Sequence, residues 1–378
     1  MTDTKERGQR ISRRAALKRM GAGAALSSVG FIGTAVGKNT VKTTVTRNGD
    51  GPVRRKEVPQ SWHDHLQQVD DVIQQMKDEY YSQKGVETIA QVRREETFGG
   101  KRGVQVRVEI NEESFEGDLP DSQENIPIDV VEAMSTGLGA CQGIDESIDP
   151  VLGSAVVEED AGTSCGFGST FMTVYDYDVD ANRMLTCAHL FEACLNGISE
   201  EAVEQGGSDF GKVDRFDANA DWATITPQDK NTSDPSKIRE GDGEEYEVNA
   251  WYTDNGISDL ISTGETAYQL GATTGQTSGT VEANHVSDGF DCVDFDAEGV
   301  ECGITNAQGD SGGPVYTYND DGTKAVLICM YQMYVNHRGD TRSCDPEGPC
   351  SGSDLNEAPT LRGVSFDYLN DEYNLGTA

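Results

Sequence analysis

The chain has 378 residues, enough for two modest domains and tails, and its 35% of hydrophobic residues can bury a proper core. Its 66 acidic residues face only 30 basic ones, a net charge of −36. Such a surface lacks the clustered Lys and Arg that phosphate contacts need, which excludes nucleic acid and anionic membrane as ordinary partners.

The first 37 residues carry Ser12-Arg13-Arg14-Ala15-Ala16-Leu17-Lys18, followed by a weakly apolar stretch from Met20 to Gly37. A twin-arginine pair with this flank predicts an export leader for an already folded protein, hence a secreted, extracellular product. The apolar part is Gly/Ala-rich and short for a spanning helix, and no later segment reaches that length, so no stable membrane insertion is expected after leader removal. Residues 38–60 are polar and contain Gly, Lys and Arg, the composition of a flexible linker.

Trp62, Leu66, Val69, Val72, Ile73 and Met76 then recur at helical spacing, which predicts an amphipathic helix over about residues 61–82. Val104, Val106, Val108 and Ile110 alternate with polar residues, and Ile126-Pro127-Ile128-Asp129-Val130-Val131 follows a Pro/Asp/Asn-rich connection. Both read as strands. Residues 61–135 are therefore expected to form a small α+β domain, either a pro-segment or an accessory domain that stays attached. The Gly/Asp-rich stretch Ser135 to Pro150 joins it to a second domain over 150–378.

The charge is uneven between these parts. From Gly153 onward there are 42 acidic and 10 basic residues, a balance of −32, against 24 and 20, or −4, before it. Self-repulsion on that scale is felt in dilute buffer, where the Debye length is about 30 Å at ~0.01 M salt, and is relieved near molar salt, where it is about 3 Å. Pairs such as Glu244-Glu245 and Asp320-Asp321 read as the solvated face of a salt-adapted protein, since no EF-hand-like loop marks a calcium site. High acidity, little lysine and the leader together resemble a secreted protein of a salt-loving archaeon.

Chemistry concentrates in three places of the second domain. His189 ends Met184-Leu185-Thr186-Cys187-Ala188-His189, an apolar run closing in small residues. Asp221 lies in Asn219-Ala220-Asp221-Trp222-Ala223-Thr224-Ile225, a turn-former before a strand-like run. Ser311 lies in Asn306-Ala307-Gln308-Gly309-Asp310-Ser311-Gly312-Gly313-Pro314. A serine hydroxyl needs a base to take its proton and N–H groups to hold the oxyanion, and the glycines leave room for a substrate carbonyl. Gly309 and Ser311 supply those N–H groups. The order His, Asp, Ser separates this arrangement from the Asp, His, Ser and Ser, acid, His orders of other serine hydrolases.

The other histidines read as solvated. His63 and His65 sit in the helical segment, while His285 and His337 fall in expected loops without metal-ligand spacing, so no metal or other cofactor is called for. Nine cysteines suit an exported chain in which disulfides persist. Cys292 with Cys302 and Cys344 with Cys350 are close enough to staple loops, and Cys165 has Cys187 or Cys194 as partner. The odd total leaves at least one free thiol unless chains are linked.

These motifs resemble the streptogrisin and α-lytic branch of chymotrypsin-like serine peptidases. Cys165-Gly166-Phe167-Gly168-Ser169-Thr170-Phe171 is similar to the strand before the catalytic histidine. Gly271-Ala272-Thr273-Thr274-Gly275-Gln276-Thr277-Ser278-Gly279-Thr280-Val281 is similar to a family hairpin, and Gly153-Ser154-Ala155-Val156-Val157 to the first barrel strand. The likeness covers about residues 150–370. It implies an all-β fold of two six-stranded antiparallel β-barrels, with His189 and Asp221 from the first barrel and Ser311 from the second.

Three departures shape the expected specificity. Thr305 stands where trypsin-like members carry Asp, so a preference for Lys or Arg is not expected. Tyr331 and Met333, in Val326-Leu327-Ile328-Cys329-Met330-Tyr331-Gln332-Met333, replace a serine-glycine-glycine run and narrow the primary pocket. Gln269 occupies the place of an arginine that pairs with the Asp before the serine, leaving Asp310 without an evident partner. The expected function is a secreted, salt-adapted serine endopeptidase acting on polypeptides. A non-catalytic binding module on the same fold, or an esterase with the same triad, are the alternatives.

Overall fold

Val41, Thr43 and Val45 alternate with more exposed residues, and Asn48-Gly49-Asp50-Gly51 supplies a turn. Residues 40–59 therefore do not form the expected flexible linker but a β-hairpin of β1 (Thr40–Asn48) and β2 (Gly51–Pro59). The alternation outweighs the polar composition because Val45 and Val58 are buried. The computed structural model describes residues 39–115, 117–133, 135–138, 153, 156–159, 167–191, 202–205, 208–228, 236–239, 244–290, 293–294, 298–307, 309–336, 342–344 and 355–378. The leader, His337, Cys165, Cys194, Cys292 and Cys350 lie outside these residues.

Helix α1 (Gln60–Tyr80) buries the apolar stripe read from the sequence, Trp62, Leu66, Val69, Val72, Ile73 and Met76. Each such side chain contributes about 1.5–3 kcal/mol of burial. The stripe packs on β3 (Val86–Phe98) and β4 (Lys101–Ile110), which pair antiparallel. The Trp62 indole N–H donates to the Arg102 carbonyl, 2.9 Å away. His65, expected to be solvated, is buried instead, because its ring stacks on Phe98 and its Nε2 meets the Val104 backbone. β5 (Ile126–Glu132) adds parallel to β4, and β6 (Ser135–Leu138) follows.

The next strands are β7 (Val156–Glu159), β8 (Phe167–Ser169), β9 (Met172–Asp176), β10 (Ala181–Thr186), β11 (Ala202–Gln205), β12 (Ser208–Asp217) and β13 (Trp222–Pro227). With the carboxy-terminal strand Leu375–Thr377 they form one eight-stranded antiparallel sheet, in which β10 lies between β9 and β13. The remaining elements are β14 (Glu245–Tyr252), α2 (Asp254–Thr263), β15 (Thr266–Gly271), β16 (Gly275–Phe290), β17 (Gly299–Gly303), β18 (Pro314–Tyr318), β19 (Lys324–Asn336), β20 (Thr360–Ser365) and α3 (Phe366–Tyr373). Strands β15, β16, β17, β20, β19 and β18 close on themselves as a six-stranded antiparallel barrel. The chain is all-β in class, and a common core joins its two bodies: Phe171, Leu185 and Trp222 of the first sheet pack in one cluster with Leu270, Leu327, Met330 and Met333 of the barrel.

The amino-terminal unit extends the barrel's sheet. β15 leaves the edge of β16 at Thr280, and β3 takes that edge from Ala283 onward. β14 pairs with β1 on one side and runs parallel to β19 on the other. A buried ion-pair cluster crosses the same junction. Arg362 of β20, 2% exposed, donates to Glu301 of β17 at 2.8 Å and to Glu109 of β4 at 2.8 Å, and Arg107 reaches Glu301 at 2.7 Å. Burial pushes the Glu301 carboxyl up, but Arg362 and Arg107 outweigh it and leave it below the ordinary range.

Three cysteines among the described residues are free and buried, Cys187, Cys302 and Cys329. This overturns the expected Cys292–Cys302 and Cys165–Cys187 bridges. Cys302 instead engages the Cys329 thiol, a contact that together with burial pushes Cys302 well above its ordinary value. The other expected pairings involve residues outside those described.

Arg362→Met should destabilise the chain by about 3–5 kcal/mol, because it strands two buried carboxylates with one arginine. Denaturant titration measures this. Since the Glu301 value is depressed, its contribution is present above the ordinary glutamate range and is lost as pH falls through that depressed value, so parent and variant should converge in acid.

Candidate active site

β10 carries Met184, Leu185 and Thr186 into the core, and the chain then tightens into the 3₁₀ turn Ala188–Phe191 that bears His189. Between β12 and β13 the Asp217 carboxylate accepts the N–H groups of Asn219 and Ala220 at 2.8 and 3.0 Å. Asp221 follows with φ 48°, a left-handed conformation that costs about 1–2 kcal/mol. The turn aims a carboxylate that is 1% exposed at His189. Its Oδ1 accepts the His189 backbone N–H at 2.8 Å, and its Oδ2 lies 2.7 Å from Nδ1. With Nδ1–H donated to Asp221, Nε2 is left as the basic nitrogen. That atom is buried and has no hydrogen-bond partner among the described residues.

Ser311 is fully buried, and its Oγ donates to the Gln332 carbonyl at 3.1 Å. Gly312 has φ 91°, and a Cβ there would stand 1.9 Å from the Ser169 carbonyl oxygen. Only glycine fits between the serine loop and β8. The loop is further pinned where Ser169 N–H donates to the Ser311 carbonyl at 2.6 Å and Ser169 Oγ donates to the Gly309 carbonyl at 2.9 Å.

The partner of Asp310 is the Thr273-Thr274 turn. Its carboxylate accepts the N–H groups of Thr273, Thr274 and Ala307 at 2.9, 3.0 and 2.9 Å and the Thr274 hydroxyl at 2.7 Å. Gln269 plays no such part, since its Oε1 accepts from Thr277 at 2.9 Å. Burial dominates these bonds and pushes the Asp310 carboxyl above the usual aspartate range.

Gln332 is the residue that sequence reasoning missed. Its Nε2 donates to the Ala220 carbonyl at 2.7 Å and to the Asp221 carbonyl at 3.0 Å, while its own carbonyl holds Ser311. One residue thus touches the aspartate turn and the serine loop. Its signal was a lone amide within the apolar run of β19. Tyr331 grips the same loop, accepting the Gly312 N–H at 2.8 Å and donating its own N–H to Gly313 at 2.9 Å. Its hydroxyl donates to Asn306 Oδ1 at 2.8 Å. Tyr331 and Met333 are both buried core residues, and Thr305 is exposed.

The structure therefore brings His189 and Asp221 into contact and sets Ser311 against the strand that braces Asp221. The serine hydroxyl faces Gln332 and not the imidazole. Cys187, His189 and Asp221 offer donor atoms within 4.8 Å of one another. Burial, and next to it Asp221, push the Cys187 thiol well up, and its Sγ is engaged by the Tyr331 carbonyl at 3.2 Å, so a thiolate metal ligand is disfavoured there.

No protein-family model and no curated protein matches the chain. Among solved structures it is similar to Thermobifida fusca protease A, with 16% identity over 60% of this chain and 98% of that one and a TM-score of 0.40. Cellulomonas bogoriensis chymotrypsin gives 14% identity, 61% and 99% coverage and a TM-score of 0.39. Nocardiopsis protease gives 16%, 61%, 99% and 0.40.

Thr274→Val removes the hydroxyl donor to Asp310 and should cost about 1.5–3 kcal/mol at neutral pH. Burial raises the Asp310 value while the Thr274 hydroxyl opposes that rise by favouring the charged carboxylate, so losing the hydroxyl raises it further. The deficit is felt while Asp310 is ionised and should shrink on acidification, as Asp310 becomes protonated in parent and variant alike. Guanidinium titrations of parent and variant at both pH values check the sign.

Proposed function

We propose that the chain is a chymotrypsin-like serine endopeptidase, exported through the twin-arginine leader, adapted to high salt and acting on polypeptides. The observation that carries this reading is the placement of the His189–Asp221 pair and the glycine-framed Ser311 on opposite contacts of Gln332. In the reaction, Ser311 Oγ leaves the Gln332 carbonyl, gives its proton to His189 Nε2 and attacks the substrate carbonyl. Asp221 stabilises the imidazolium, and the N–H groups of Gly309 and Ser311 hold the oxyanion. The imidazolium then protonates the leaving amine, and water hydrolyses the acyl-enzyme with the same base.

The form described is self-blocked. β18 leaves one edge of β19 at Met330, and beyond Gln332 β6 pairs antiparallel with Met333–Asn336. An extended polypeptide binds a sheet edge by the same main-chain bonding. β6 thus takes the place of a substrate strand, which supports an inhibitory role for the amino-terminal unit.

Ser311→Ala, purified free of other peptidases, should lose at least about 10³-fold in turnover of casein in high salt while keeping its circular dichroism. Phosphonofluoridate should label the parent at Ser311. Digestion by the alanine variant at the parental rate would overturn the assignment. Proline at both Thr136 and Gly137 should unseat β6 and raise the initial rate of the full chain; an unchanged or lower rate speaks against the blocking role.

A further inference from the structure

β16 breaks its register against β17 at Glu282 and again at His285. Asn284 opposes Val300 of β17 and Gln91 of β3, but the next partners are Val286 with Gly299 and Ser287 with Ile89, so His285 is inserted into the ladder. Its φ of 55° is left-handed, and such a bulge re-aims a side chain. His285, expected in a solvated loop, is 6% exposed.

The imidazole is aimed among three carboxylates from three other segments. Asp70 Oδ1 of α1 lies 3.4 Å from Nε2, and Glu298 Oε1, just before β17, lies 3.8 Å from Nδ1. Asp254, the first residue of α2, completes a group in which donor atoms of Asp254, His285 and Glu298 fall within 4.8 Å of one another. The Nε2 atom is buried and makes no hydrogen bond among the described residues. An imidazolium held by these carboxylates would close to charge-assisted bonds of about 2.7–2.9 Å. The observed gaps are wider. Donors bound about 2.0–2.2 Å from a shared ion stand roughly 3–4 Å apart, and the Glu298–Nδ1 gap of 3.8 Å falls in that range.

We propose that Asp254, His285 and Glu298 bind a divalent first-row metal ion such as zinc, with Asp70 facing the ring's other nitrogen. One imidazole and two carboxylates suit zinc or manganese better than calcium, which takes six to eight oxygens. A carboxylate bonded to the second ring nitrogen is the usual device that fixes a metal-bound histidine, and Asp70, 3.4 Å from Nε2, stands just short of that bond. The ion would clasp the start of α2 and the bulge of β16 beside α1. This inference stands apart from the peptidase reading.

The test uses the full chain with Ser311→Ala, dialysed to equilibrium against Zn²⁺ and analysed by elemental mass spectrometry, with Co²⁺ as an absorbing substitute. The expected result is one bound ion per chain, weakened at least about tenfold by His285→Ala and by Glu298→Gln. Either folded variant, checked by circular dichroism, suffices. A further His189→Ala chain should retain the ion and its visible cobalt band. No bound ion, or an ion lost with His189→Ala and kept with His285→Ala, overturns the proposal.

Discussion

The backbone of β19 at Gln332 is the constraint on which the site depends. Its carbonyl takes the Ser311 hydroxyl, and its side-chain amide donates to two carbonyls of the aspartate turn. Both bodies of the fold therefore meet one residue, fully buried, whose neighbours Tyr331 and Met333 are packed on either side. Three directed hydrogen bonds at one buried residue, two from its side-chain amide and one to its backbone carbonyl, leave little freedom for the aspartate turn to shift relative to the serine loop. His189 inherits that order through its two bonds to Asp221.

The molecule buries carboxylates in two physically different ways. Glu109 and Glu301 are matched with Arg107 and Arg362, so charge meets charge and the Glu301 value falls. Among the described residues Asp310 meets no cation but three N–H groups and a hydroxyl, and burial still pushes it up. Under the proposed reading, the second device suits a loop that approaches substrate. Gly271 lies so close that a Cβ there would stand 2.1 Å from Asp310 Oδ1, so the threonine turn and the serine loop are shaped together.

The legible parts of the sequence were those with a period or a local pattern. The stripe from Trp62 to Met76 specified α1, and alternation specified β4. The hairpin over residues 40–59 was hidden because most of its exposed positions are polar or proline, among them Lys42, Pro52, Arg55 and Glu57, whereas its buried ones are few. His65 and His285 were misread for a related reason: burial of a single polar residue depends on partners far along the chain, Val104 for one and Asp70 and Glu298 for the other. The bridging role of Gln332 and the Asp310 cage are likewise long-range contacts, invisible to spacing. Local motifs singled out His189, Asp221 and Ser311, each set by its own turn, and the structure pairs the first two and sets the third against Gln332.

Under the proposed peptidase reading, the junction between the amino-terminal unit and the barrel bears on which part would move for a substrate to enter. Glu301 and Arg362 lie on barrel strands, while Arg107 and Glu109 lie on β4, so each side is charge-balanced and parting them strands no lone charge. Ion pairs are thus a weak reason for the unit to stay. The apolar contacts are a stronger one: Val86, Ile89, Val104 and Val106 share a cluster with Val281, Val300, Ile304 and Leu361 of the barrel side. Parting would also bare the edges of β14 and β16 that β1 and β3 now pair. β6 is held differently, by one edge of four residues at the end of β19. Its release requires only that short ladder to break, which makes β6, and not the whole unit, the economical element to displace.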